Sequence, residues 1–67
     1  MKEDVLEEIR RRVESGYKGE LTYNYRTGIY EVTTYKPLVP DMDLKTHKIP
    51  RGTYDQLELV EAVYGKQ

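Results

Sequence analysis

The largest side chains available to this chain are tyrosines, seven among 67 residues, with no Phe, Trp or Cys. Any core must therefore come from tyrosine rings and aliphatic residues, with no disulfide or thiolate-bound metal to brace it. Leu, Ile and Val number 15 in all, just above the fraction that marks a disordered chain. Eleven Lys and Arg against twelve Asp and Glu give a formal net charge of −1, too small for self-repulsion to hold the chain open. We expect one small folded domain over residues 1–67.

Residues Lys2 to Ser15 carry a helical pattern. Val5, Ile9 and Val13 recur at four-residue spacing, and Leu6 widens the stripe. Acidic Glu3 and Asp4 begin the segment and Arg10, Arg11 and Arg12 end it, complementing the helix dipole. Gly16 follows, able to take the left-handed conformation that closes a helix.

Gly19 to Lys36 reads as a β-hairpin rich in Tyr, Thr, Val and Ile, with the turn signal at Arg26-Thr27-Gly28. An even loop, Arg26 to Ile29, pairs Tyr25 with Tyr30, Tyr23 with Val32 and Leu21 with Thr34. That register gathers Leu21, Tyr23, Tyr25, Tyr30 and Val32 on one face as the core side, with Thr22, Asn24 and Glu31 exposed opposite. An odd loop would put Glu31 beside Tyr23, so burial favours the even one.

Between Pro37 and Gly52 the periodicity fails. Leu44 to Ile49 has no consistently apolar face, and it reads either as a short edge strand or as part of a long loop. Thr53-Tyr54-Asp55-Gln56 fits a capping box and opens the last helix, which Gly65 ends. On that helix Leu57, Leu59, Val60, Ala62, Val63 and Tyr64 span roughly 220° of the wheel, more than one sheet face covers. We therefore expect a homodimer that buries Leu59 and Val63, or their neighbours, between subunits. The fold class is α+β: helix, β-hairpin with or without a third edge strand, helix, both helices packed on one sheet face.

Recognisable catalytic arrangements are missing. His47 is the single imidazole and Ser15 the single serine, and no glycine-rich loop runs from a strand into a helix. Asp41-Met42-Asp43 begins like a calcium loop, but Thr46 and Gly52 occupy positions that need Gly and Glu. No enzyme activity, metal or cofactor is expected. The run Arg10-Arg11-Arg12 reads as a solvated helix face, because successive residues point ~100° apart. No apolar run approaches the ~20 residues of a membrane span, and with no cysteine the setting is expected to be cytoplasmic.

These absences point to a small intracellular protein-binding module, an adaptor or inhibitor of the accessory kind found in prokaryotes and viruses. Its expected contact residues are Arg26, Tyr35, Lys36, Lys45, His47, Lys48 and Arg51, with apolar Leu38, Val39 and Met42 between the prolines. The competing use of Leu38 and Val39 is as a plug over the core. The rival function is nucleic-acid binding by the outer sheet face and the basic 45–51 stretch.

Overall fold

A computed structural model describes residues 4–39 and 41–65 of the chain. The first helix, α1, spans Val5–Glu14. Asp4 caps it, its carboxylate accepting the Glu7 N–H at 2.9 Å. At the far end the Tyr17 N–H donates to the Arg12 carbonyl at 3.0 Å and the Gly16 N–H to that of Val13 at 3.1 Å. Gly16, at φ 100°, supplies the left-handed residue this closure needs. Lys2 and Glu3, assigned to the helix from the sequence, lie outside the described residues, as does Pro40.

Three strands follow as an antiparallel meander: β1 (Lys18–Asn24), β2 (Ile29–Tyr35) and β3 (Lys45–Pro50). The 44–49 stretch is thus an edge strand rather than loop. Its pattern is obscure because its inward positions are Lys45, His47 and Ile49, and only Ile49 joins the core.

The hairpin differs from expectation by a two-residue slip. Tyr23 pairs with Tyr30, Leu21 with Val32 and Gly19 with Thr34. A slip of two preserves the faces, so Glu31 does lie on the face opposite to Tyr23. It does, however, move Tyr25 into the turn, where it is 79% exposed rather than part of the core. The cause is Asn24. Its side-chain oxygen accepts the Arg26 N–H at 3.0 Å and its carbonyl accepts the Gly28 N–H at 2.8 Å. The Asx turn therefore starts one residue before Tyr25 and ends at Gly28, whose φ is 73°. Glu31, expected exposed, is half-buried on the outer face.

The last helix, α2, spans Gln56–Tyr64, capped by Asp55 rather than Thr53. The Asp55 carboxylate accepts the Leu57 N–H at 2.9 Å. Thr53 is used earlier, its N–H closing a turn onto the Pro50 carbonyl at 3.2 Å, while Tyr54 packs against the core.

Both helices cover one face of the sheet, and the core is aliphatic. Leu6 and Ile9 of α1, Val32, Ile49, and Leu59, Ala62 and Val63 of α2 are buried together. No tyrosine is fully buried; Tyr30 and Tyr54 rim the cluster, and Tyr23 leans on Tyr30 with ring centroids 4.5 Å apart. The expected dimer residues Leu59 and Val63 are consumed inside the single chain, so a second copy cannot be what covers them. On the outer part of the wide apolar arc Leu57 and Tyr64 stay exposed and Val60 is half-buried.

At Gly19 the backbone of β1 lies close against α2. A Cβ there would lie 2.9 Å from Val63 Cγ1 and 3.2 Å from the Val63 carbonyl oxygen. Gly19→Ala should therefore lower stability in urea unfolding by about 1–3 kcal/mol. In a Val63→Ala background the same substitution should cost less, because part of the clash is gone.

Candidate functional site

The loop from Lys36 to Leu44 joins β2 to β3 and carries most of the exposed aliphatic surface. Its base is pinned by Arg12, which is 8% exposed. The Arg12 Nε donates to Thr34 Oγ1 at 2.7 Å, and a terminal nitrogen donates to the Asp43 carbonyl. The other terminal nitrogen lies 3.6 Å from the Asp43 carboxylate, and the guanidinium carbon sits 4.3 Å from the centre of the Tyr17 ring. The Tyr17 hydroxyl donates to the same carboxylate. Asp43 holds a left-handed backbone, φ 60°, and these contacts on both its carbonyl and its side chain maintain it.

This corrects the reading of Arg12 as part of a solvated face. Arg10 does point outward and pairs with Glu7 at 2.8 Å, and Arg11 is exposed. The distinguishing signal was present in the spacing: of the three arginines, only Arg12 lies within about 60° of Ile9 on the wheel.

Above this anchor the loop turns its apolar side chains to water. Leu38 is 94% exposed, Val39 43%, Met42 62% and Leu44 52%. The plug reading of Leu38 and Val39 fails on those values. Two turn bonds shape the loop, from the Val39 N–H to the Lys36 carbonyl and from the Met42 N–H to the Val39 carbonyl. Leu44, just before β3, carries no signal in the sequence because the stretch around it has no consistently apolar face.

The other expected contact residues divide into two groups. Arg26 lies in the hairpin turn, near Arg51, whose N–H donates to the Gly28 carbonyl at 2.8 Å. Tyr35, Lys36 and Lys45 lie at the opposite end of the sheet. The six steps from Ile29 to Tyr35 make that separation about 20 Å, so Arg26 and Tyr35 do not form one patch. Tyr35 hydrogen-bonds Glu20 at 3.4 Å, and burial followed by that carboxylate raises its hydroxyl pKa.

His47 and Lys45 point inward to Glu8 of α1. Lys45 forms an ion pair with Glu8, and His47 Nε2 lies 3.4 Å from the same carboxylate. The His47 Nδ1 is buried without a hydrogen-bond partner among the described residues. That leaves Lys48 and Arg51 as the cations of the 45–51 stretch outside any ion pair among the described residues. The outer sheet face is polar and mixed in sign, with Glu20, Glu31 and Lys48 around a Thr33–Thr46 hydroxyl contact of 3.1 Å.

No protein-family model, curated protein or solved structure matches this chain.

Two expectations follow from the anchors. Arg12→Met keeps the packing of the stem but strips buried Thr34 Oγ1 of its donor, and should cost about 1–3 kcal/mol. Arg10→Met should stay within about 0.5 kcal/mol, and thermal melts of the two variants measure the contrast.

The second concerns pH. The Tyr17 hydroxyl, with help from Arg12 and Lys36 and against some burial, holds the Asp43 carboxyl below the usual range. Lys45 does the same for Glu8, opposed by burial and aided by His47. Both groups bind protons more weakly folded than unfolded. Their stabilisation is therefore full above about pH 5 and is lost as pH falls through the lowered folded values. Melting temperature should drop on acidification, and a Glu8→Gln, Asp43→Asn double variant should show a flatter acid limb.

Proposed function

We propose that this chain is a protein-binding module, an adaptor or inhibitor with no catalytic step, whose contact element is the Lys36–Leu44 loop. One observation carries the reading: a loop held at its base by a buried arginine presents Leu38, Val39, Met42 and Leu44 to solvent. Loops that are only connections seldom combine a rigid anchor with large exposed apolar side chains, whereas recognition loops do both. Pre-ordering also limits the entropy lost on docking. Lys36 and Tyr35 border this surface and supply its polar rim.

A module of this kind suits the cytoplasm, where a chain without disulfides must hold its own fold. No helix among the described residues is long and apolar enough to cross a membrane. The absence of catalysis is supported by the single imidazole, whose free nitrogen is buried. Against the nucleic-acid alternative, Glu8 takes up two of the four basic side chains between 45 and 51. Self-association stays within the proposal, with Leu57, Val60 and Tyr64 as the surface available for it.

A Leu38→Ser, Met42→Ser double variant should melt like the parent, each change within about 0.5 kcal/mol. It should lose any protein partner that affinity capture recovers with the parent. Equal recovery by both would overturn the assignment of the loop. Recovery of oligonucleotides alone, with affinity falling steeply as salt rises, would move the function to the nucleic-acid class.

A further inference from the structure

The two edges of the sheet differ in one capped amide and in charge, and on β1 the outward N–H groups of Gly19 and Tyr23 have no partner among the described residues. Along β1, α2 packs at Gly19, and the Leu21 N–H, which points away from β2, is taken by the Tyr64 hydroxyl at 3.1 Å. In an antiparallel ladder bonded and outward residues alternate, so the even residues of β1 face β2, and the even residues of β2 face β3. The Arg51 N–H bonded to the Gly28 carbonyl belongs to that same set. On β3 the odd residues therefore bond inward, while Thr46 and Lys48 turn their N–H and C=O groups outward. Both residues are exposed, and among the described residues no backbone or side-chain group is bonded to either amide.

We propose that the β3 edge takes up an extended acidic segment of a partner protein as a fourth strand. The proposal rests on the protein-binding reading and names the kind of partner. Backbone pairing to Thr46 and Lys48 would supply the register. The charge of the edge supplies the preference: Lys48 faces the outer side and Arg51 follows Pro50, neither of them in an ion pair among the described residues. Glu31, across from Lys48 on β2, is the nearest acid on that face, and Lys45 and His47 on the inner face already share Glu8. A second copy pairing edge to edge would bring another Lys45, Lys48 and Arg51 to the same line, like charge against like charge. Pro50 has no N–H and ends the strand, so the incoming segment is short. At the other end Leu44 and Met42 offer apolar contact continuous with the loop.

The test is amide exchange measured by NMR on the full chain, with three capped octapeptides as probes. One alternates Glu and Val, one alternates Lys and Val, and one is the Glu peptide N-methylated at alternate amides. The Glu peptide should slow exchange at Thr46 and Lys48 at least tenfold and leave Leu21 unchanged. Lys48→Glu or Arg51→Glu, each checked by melting, should weaken its binding roughly tenfold. The Lys and N-methylated peptides should give no protection.

Three results would overturn the proposal. The first is no protection at millimolar Glu peptide, which would mean that the cations and Pro50 only guard the edge against pairing. The second is equal protection by the Lys peptide, and the third is protection that rises with protein concentration alone, which would identify a second copy as the occupant. If any of these occurs while partner capture still depends on Leu38 and Met42, the edge proposal falls and the loop reading stands.

Discussion

The Arg12 guanidinium touches three segments of the chain at once: Thr34 in β2, Asp43 at the end of the loop and the Tyr17 ring just past α1. Removing a charge from water is costly, and it is offset here by hydrogen bonds, a carboxylate and an aromatic face. An aliphatic residue at position 12 would also fill the space, but it would leave the loop unattached. The fork of the guanidinium makes the attachment directional. It sets the angle of α1 on the sheet and the path of the chain from β2 into β3 together. The exposed loop is therefore ordered from inside the molecule.

Glu8, a turn before Arg12 on the same helix, has the matching role for β3. The inner face of that strand offers a lysine and a histidine where an aliphatic pattern would be expected, and a single carboxylate on α1 receives both. The third strand is thus held by a polar contact at one end and by Ile49 at the other. Such a strand has no periodicity to read, because two of its three inward positions are complemented by a residue 37 and 39 positions away.

Local chemistry was legible in the sequence and distant complementation was not. Gly16 announced the end of α1, and the alternation around Tyr23 and Val32 identified the correct faces of the hairpin. The register is set two residues away from the one that would bury Tyr25, because the Asn24 side chain starts the turn by itself. The capping-box pattern points to Thr53, whereas the helix is capped two residues later by Asp55. Tyr54, between the two, packs against the core. The burial of Leu59 and Val63 within one chain has no signal in the sequence, because the area that α1 and the sheet together present to α2 is not a property of any segment. For the contact surface, Leu38, Val39 and Met42 were visible as apolar residues between prolines, whereas the anchor that orders them depends on Arg12 and Asp43 meeting across 31 residues.

The shared core of the two helices has a consequence for the order in which the molecule is built. The three strands are sequence neighbours and can pair by closing short loops. Leu6 and Ile9, however, meet Leu59 and Val63, so the core closes only when the two ends of the chain come together. A chain growing from its N-terminus can complete the meander by Pro50 while Val32 and Ile49 still have only α1 above them. Until the last nine helical residues arrive, the apolar side of the sheet stays half covered. The final helix therefore converts a partly wetted sheet into a closed fold in one cooperative step, and truncations short of Val63 would stall the chain with its interior open.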